Sequence, residues 1–278
     1  MSTYLVQGKL GSGKGKFVMG KIYEALRDGR RVATNMDVFL DKLMGPQNKA
    51  TLIRLPDKPR PADLEAIGHG NPGDPYNEDR AGVLVLDEAG SWLNARAYND
   101  KDRQGFIDWM LHARKLGWNV YLQVQDIGMV DKQFRTGLAE VLVRCIRADK
   151  VKIPVVGTFL GKRGKLPRFH IANMSLADVP GFVVDREWYR NDWLQKGYDT
   201  LQRFREDYPH GPHSLLSAWH LVGRHEAPAA RRSWLGGLFA PRQRPIPKPR
   251  GPLVERLAKL PPDRALYWTA RLAREGLL

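Results

Sequence analysis

Near the start of the chain, Gly8-Lys9-Leu10-Gly11-Ser12-Gly13-Lys14-Gly15 follows a short apolar run, Tyr4-Leu5-Val6, and precedes a segment with helical spacing. A strand that ends in a glycine-rich turn and opens into a helix aims backbone N–H groups and the helix N-terminus at one point. A lysine there adds a mobile cation. This predicts a phosphate-binding loop for ATP, with Gly8, Lys9, Leu10, Gly11, Ser12, Gly13, Lys14, Gly15 and Lys16 as the nucleotide-binding residues. The pattern G-x-x-x-x-G-K-[ST] is met everywhere except its last place, where Gly15 stands for the hydroxyl that ordinarily reaches Mg2+. Either water, Ser12 or a later acid completes the metal shell, or the loop binds nucleotide with little turnover.

In residues 16–28, Phe17, Ile22, Ala25 and Leu26 share a helix face, and Gly29 supplies the stop. Residues 30–35 and 51–55 read as strands, so the order is strand, helix, strand, as in a doubly wound α/β fold. Residues 56–80, with Pro56, Pro59, Pro61, Pro72 and Pro75, read as loop around one short helical turn. The run Gly82-Val83-Leu84-Val85-Leu86 is too short for a helix and closes on Asp87-Glu88, which predicts a strand buried on both faces.

At the carboxyl end of such a strand Asp87 can hold Mg2+ beside the phosphate loop, and Glu88 can orient or deprotonate the attacking water. The other reading of an Asp-Glu pair here is a cap for the next helix. Residues 103–116 place Phe106, Ile107, Trp109, Met110 and Leu111 on one apolar surface, with Gly117 ending the helix. Residues 119–126 form the next strand, and Gln125 at its end is placed to sense the γ-phosphate. Arg135 is the first candidate for a guanidinium acting in trans on a neighbouring subunit's phosphates, ahead of Arg96, Arg103 and Arg114. For each of these an ordinary surface role stands beside the catalytic one.

Residues 141–147 read as a further strand, and 154–160 with 168–172 as a hairpin with a cationic tip, Gly161-Lys162-Arg163-Gly164-Lys165, facing DNA, lipid phosphate or solvent. Trp188, Tyr189, Trp193 and Tyr198 sit at near-helical spacing and read as core.

With 45 Lys and Arg against 30 Asp and Glu, the net charge of +15 favours a polyanionic partner, nucleic acid or an anionic membrane face. Cys145 is the only cysteine, which excludes an intrachain disulfide and a cysteine metal cluster and suits a reducing cytoplasm. The start carries no signal-peptide pattern, and no apolar run reaches the ~18 residues of a spanning helix. Three segments are expected: an ATPase domain over 1–206, a basic Pro-rich linker over 207–250, and a helical tail over 251–278. Within the linker, Trp234-Leu235-Gly236-Gly237-Leu238-Phe239 is an apolar patch suited to an anionic lipid interface. The histidines at 210, 213, 220 and 225 have no tight metal-ligand pattern.

Several of these stretches together resemble one family, the filamentous-phage assembly ATPases, also called the zonular occludens toxin family. They are the loop through Lys14, Arg31-Val32-Ala33-Thr34-Asn35, Asp87-Glu88-Ala89, Trp92-Leu93-Asn94-Ala95-Arg96, Asn99-Asp100-Lys101-Asp102-Arg103-Gln104 and Trp109-Met110-Leu111-His112-Ala113-Arg114-Lys115-Leu116-Gly117. Val124-Gln125-Asp126 with Asp131-Lys132-Gln133 extends the likeness, and a weaker echo reaches Gly197-Tyr198-Asp199-Thr200. The resemblance implies a P-loop NTPase with a largely parallel central sheet and flanking helices, RecA- or FtsK-like. It implies a homo-oligomeric ring in the host cytoplasm, at the cytoplasmic face of the inner membrane. Such a ring powers extrusion of phage while single-stranded DNA, or its nucleoprotein, is transferred to membrane-resident coat and assembly proteins. Members typically add a membrane-spanning helix that this sequence does not show. A membrane partner, or peripheral attachment through the basic linker, would then take its place. Two other readings keep the loop and change the job: a nucleotide-gated scaffold with little hydrolysis, and a phage genome-packaging ATPase.

Overall fold

The run Gly82–Leu86 (β4) is buried at all 5 positions and lies deep within a sheet, as its uninterrupted apolar character requires. In this computed structural model, residues 1–74, 76–92, 100–130, 135, 137–148, 169–179 and 181–221 are described, all within the unit Met1–Pro228. Among them the strands are β1 (Thr3–Gln7), β2 (Val32–Thr34), β3 (Thr51–Arg54), β4, β5 (Trp118–Val124), β6 (Val141–Arg147), β7 (His170–Leu176), β8 (Val183–Tyr189) and β9 (His213–Leu216). They form one sheet in the order β8-β7-β6-β1-β5-β4-β2-β3-β9. The pairs from β6 to β3 are parallel. β7, β8 and β9 join antiparallel at the two ends. The fold is thus the P-loop α/β architecture with a mostly parallel central sheet.

Alternation along the strands sends side chains to opposite faces, and each face has its own core. On one face Val6, Val83, Val85, Tyr121 and Val143 pack with Phe17, Val18, Ile22 and Leu26 of helix α1 (Lys14–Arg27). On the other, Leu5, Leu84, Leu86, Val120 and Leu122 pack with Leu64 of α3 (Pro61–Ala66) and Phe106, Trp109 and Met110 of α5 (Asp100–Ala113). Helix α2 (Leu40–Leu43) and α4 (Ala89–Trp92) are single turns between them. Gly29, at φ 69°, closes α1 in the left-handed conformation that a helix stop favours.

Several expectations need correction. Leu111 is 55% exposed, so the apolar surface of α5 does not include it. Residues 56–80 hold two helical pieces, α3 and the 3-10 turn Glu78–Arg80. The aromatic quartet is not one helix face. Trp188 and Tyr189 are neighbours on β8 and so point to opposite sides, Trp188 exposed and Tyr189 buried, and Trp193 is also exposed. Residues 170–172 belong to β7, which pairs with β6 and β8, and the other arm expected for the hairpin, 154–160, lies outside the described residues. The cationic tip 161–165, Arg96, the patch 234–239 and the tail 251–278 lie outside the described residues. β9 lies past residue 206 and pairs with β3, carrying the sheet into the segment whose composition reads as linker. No helix among the described residues is long and apolar enough to cross a membrane.

Candidate functional site

β5 lies between the loop strand β1 and the acid-bearing strand β4. Because these three strands run parallel, their carboxyl ends deliver residues 8–16, Asp87-Glu88 and Gln123-Val124-Gln125 to one side of the sheet. All of these but Gly8 line a single cleft of about 740 Å3, shared with Arg147, His170 and a strap of chain from Asp192 to Phe204. A volume of several hundred Å3 suits a nucleotide.

The loop is shaped by what its glycines touch. Gly13 stands at φ 98° immediately before α1, and a Cβ there would lie 2.3 Å from His170 Cδ2, so both conformation and space demand glycine. The Tyr189 hydroxyl donates to the Gly13 carbonyl at 3.1 Å, fixing the loop to β8. Ser12 Oγ is buried and has no hydrogen-bond partner among the described residues, an orphaned oxygen inside the phosphate cradle. Lys14 Nζ donates to the Gly8 carbonyl at 2.5 Å, and burial pulls its ammonium below the usual lysine range. A desolvated cation beside aligned N–H groups is a receptor for phosphate oxygens.

Asp87 is held by its main chain. Its N–H donates to Asn35 Oδ1 at 2.7 Å, and its carbonyl accepts from Asn35 Nδ2 at 3.1 Å. Asn35 is fully buried at the end of β2. Burial pushes the Asp87 carboxyl up to about 6, against the opposing pull of the Glu88 N–H that its Oδ1 accepts at 2.7 Å. Asp87 and Lys14 line the same cleft and feel each other's charge. Glu88 is exposed and sits at φ 52°, a left-handed backbone rare for a residue with a side chain. Such outliers persist where the surroundings over-determine them, as they do at functional sites.

The strap closes the opposite wall. Asp192 in the 3-10 turn Asp192–Gly197 pairs with Lys16, and Asn191 Nδ2 donates to the Lys16 carbonyl at 3.4 Å. The hydrogen bond from Lys16 holds the Asp192 carboxyl below its ordinary range. The Phe39 N–H donates to the Gly197 carbonyl at 2.8 Å, and the Asp199 N–H to the Asp37 carbonyl at 2.9 Å. Gln202 Nε2 reaches the Asn35 carbonyl at 2.9 Å while its Oε1 accepts from the Asp37 N–H at 2.8 Å. Asp57, bound to the buried Arg54 guanidinium at 2.6 Å, also accepts from the Arg205 N–H at 3.0 Å. Asn35 therefore joins the strap to the main chain of Asp87. Between the two walls stands Tyr198, half-buried, its phenol pushed up to about 12 by burial and then by Asp87, so it remains a neutral hydroxyl at ordinary pH.

Of the residues predicted from sequence, the loop, Asp87, Glu88 and Gln125 come together in the cleft. Lys16 lines it with its ammonium engaged by Asp192, and Leu10 at the loop tip is 87% exposed. Arg135 does not reach this cleft. It lines a separate hollow with Leu5, Gln7, Leu142 and Arg144. Sequence reasoning gave no site role to Asn35, His170, Arg147 or Tyr198, although Asn35 and Tyr198 stand in stretches that carry the family resemblance. A polar residue at the carboxyl end of a strand adjoining β4 was the available signal for Asn35.

The residues fit a magnesium–triphosphate. Mg2+ takes oxygen ligands and is held by one or two carboxylates plus substrate phosphates rather than by an all-protein cage. The cleft offers Asp87 and neutral hydroxyls beside the cradle, and no group of three or more His, Cys, Asp or Glu able to hold a metal occurs among the described residues.

Comparison with known proteins gives the family. The family model described as zonular occludens toxin (Zot) matches residues 2–185. Gene 1 protein of Enterobacteria phage fd is 43% identical over 238 residues, covering 82% of this chain and 67% of that protein. Gene 1 protein of Salmonella phage IKe is 42% identical over 234 residues, covering 80% of this chain and 63% of that one. The chain thus spans about two thirds of the length of these relatives. Among solved structures, the N-terminal domain of zonular occludens toxin from Neisseria meningitidis is matched at a TM-score of 0.42 and 14% identity, over 71% of this chain and 98% of that one. B204, the DNA-packaging ATPase from Sulfolobus turreted icosahedral virus, is matched at 0.39 and 12%, over 68% and 97%. With its loop, paired acids and central strands inside the matched span, the chain belongs to the zonular occludens toxin family.

Proposed function

We propose that this chain is an ATP-hydrolysing motor for filamentous phage assembly and extrusion through the host envelope. The observation that carries this is the meeting of Lys14, Asp87, Glu88 and Gln125 in one cleft, in a chain whose relatives are named gene 1 proteins of filamentous phages. Lys14 leaves the Gly8 carbonyl for the β- and γ-phosphate oxygens, exchanging one neutral acceptor for a full counter-charge. The N–H groups of residues 11–15 cradle the β-phosphate. Asp87 is the residue that would hold Mg2+, which supplies charge neutralisation at the β- and γ-phosphates. The exposed carboxylate of Glu88 takes a proton from the water that attacks the γ-phosphorus as the bond to the ADP oxygen breaks. Gln125 orients that water.

Arg135, lying away from its own cleft, is offered to the neighbour's phosphates in a homo-oligomeric ring. Its proposed partners are phage single-stranded DNA or its nucleoprotein, and coat and assembly proteins at the cytoplasmic face of the inner membrane. The net charge of +15 supports a polyanionic partner, whose binding weakens as salt rises because phosphate contacts release counterions.

The test is phosphate release from ATP, with membrane mimic and phage DNA present. Glu88→Gln is expected to lower the rate by about 10²- to 10⁴-fold while retaining nucleotide. Equal rates for the two proteins would remove the motor reading. Gly15 favours the second reading, a nucleotide-gated scaffold: assembly on ATP binding with no release above the Glu88→Gln level would select it. Translocation on single- against double-stranded DNA separates extrusion from genome packaging.

A further inference from the structure

The phosphate loop lacks a hydroxyl at residue 15, yet the space beside Gly15 is filled. A Cβ at that position would lie 2.9 Å from the Tyr198 hydroxyl oxygen and 3.4 Å from both Cε2 and Cζ of the ring. Any side chain larger than hydrogen would therefore press on this phenol. The hydroxyl reaches the first turn of α1 from the strap, one residue past Lys14, on the side where a serine or threonine would project. Gly15 and Tyr198 both line the cleft that Lys14 and Asp87 line.

Tyr198 is also held there from both flanks. On one side Gly197 is wedged against Leu43, where a Cβ would come within 2.1 Å of Cδ2, and its carbonyl accepts from Phe39. On the other, Asp199 donates to Asp37, and Tyr198 itself bridges to Val38 across an isolated antiparallel pair. No hydrogen bond within the described residues occupies the Tyr198 hydroxyl, which leaves its lone pairs for the cleft. A neutral phenol offers the same donor and acceptor as an aliphatic hydroxyl.

We infer that Tyr198 supplies, from the strap, the hydroxyl oxygen that the phosphate loop lacks at Gly15, and presents it to the magnesium–triphosphate. The inference rests on the triphosphate-binding reading and deepens it. It also gives the glycine a purpose: residue 15 is small because a phenol from elsewhere in the chain takes the place. Seating nucleotide then requires the strap to be docked, so the residues that dock it become part of metal recognition.

The experiment measures affinity of the full chain for a fluorescent ATP analogue, with Mg2+ and with EDTA. Wild type is expected to bind more tightly with Mg2+. Tyr198→Phe keeps the ring and its packing, and is expected to lose about tenfold in the Mg2+ arm while matching wild type in EDTA. Gly15→Ser alone crowds the phenol and weakens the Mg2+ arm as well. Gly15→Ser combined with Tyr198→Phe returns the hydroxyl from the loop side and is expected to recover most of the Mg2+ increment, a non-additive cycle that a merely structural role does not produce. Should Tyr198→Phe fold poorly, Gly15→Ser alone still decides the matter, since its Mg2+-to-EDTA ratio falls below wild type only if the crowded phenol takes part. An unchanged ratio in Tyr198→Phe, or no recovery in the double variant, overturns the inference. Lys14→Ala separates the two readings. If wild type and Lys14→Ala bind alike, triphosphate binding itself is lost as a reading. If Lys14→Ala loses binding while Tyr198→Phe keeps its Mg2+ increment, only the role of Tyr198 falls.

Discussion

Residues 9–16 and the strap from Asp192 to Phe204 line the same cleft, but they are put there by different means. The loop takes its course mainly from the strand before it and the helix after it, with His170 and Tyr189 packed on Gly13 from β7 and β8. The strap has one irregular turn and takes its position from partners far away in sequence: Lys16, Asp37, Phe39, Asn35 and Asp57. Local directionality builds a phosphate site that is ready before any ligand arrives. Long-range clamps build a wall whose docking is an equilibrium of its own. In such a cleft the first wall sets which group binds, and the second sets when the site is complete.

Asn35 is where the two walls meet, and removing it has the largest expected effect. In Asn35→Ala the Asp87 N–H, the Asp87 carbonyl and the Asp57 carbonyl each lose a partner. At 1–3 kcal/mol for each buried group left unsatisfied, a loss of about 4 kcal/mol in urea unfolding is expected. Nucleotide affinity falls with it, since Asp87 is no longer aimed. A loss under about 1 kcal/mol would mean the walls are independent.

Asp87→Asn sharpens the comparison in the opposite direction, by stabilising the empty protein. The folded carboxyl titrates at about 6, above its ordinary 3.8, so the folded state pays for ionisation that the unfolded state makes freely. That cost appears as pH rises from 3.8 and is complete above 6. The neutral amide avoids it and still accepts from the Glu88 N–H. The expected gain is about 3 kcal/mol at pH 7.5, falling below about 1 kcal/mol near pH 4, read from denaturant midpoints at the two pH values. A gain independent of pH would exclude burial of charge as its cause.

How much of this was legible in the sequence divides along the same line. The loop, the buried strand β4 and the acids Asp87 and Glu88 announce themselves in short contiguous patterns, because backbone direction and apolar runs act over a few residues. Tyr198 did not, because the property that matters is what faces Gly15, and chain separation hides that. Its spacing from Trp188, Tyr189 and Trp193 suggested a helix face, yet β8 alternates and puts Trp188 in solvent and Tyr189 against the loop. β9 was equally silent: residues 213–216 pair with β3 in a stretch rich in His, Pro and Gly, and a four-residue edge strand carries too little pattern to mark itself.

Gln202→Ala tests the strap by itself. The side chain contributes an acceptor to the Asp37 N–H and donors to the Asn35 carbonyl and to Asp57. Its loss is expected to cost about 1–2 kcal/mol. The effect should be confined to the second wall: amide exchange of residues 198–205 accelerates while α1 and β4 keep their protection. Uniform acceleration over the whole sheet would show that strap and core open together.

The smallest expected effect belongs to the pair Lys16–Asp192, which lies at the rim. Asp192 is 53% exposed, so solvent screens the attraction even though the contact is close. Exposed pairs of this kind are worth about 0–1 kcal/mol, and Lys16→Ala is expected to fall in that range, with the difference from wild type vanishing at about 1 M salt, where the screening length is near 3 Å. Because the Asp192 carboxyl is held below its ordinary range, its contribution is present at neutral pH and is lost as pH falls through the titration of the folded group. Lys16 sits in the first turn of α1 and lines the cleft, so its effect on nucleotide separates two duties. If it holds the strap, Lys16→Ala and Asp192→Ala weaken Mg2+-dependent binding equally and the double variant is no worse. If it reaches phosphate directly, Lys16→Ala is the more damaging in EDTA as well.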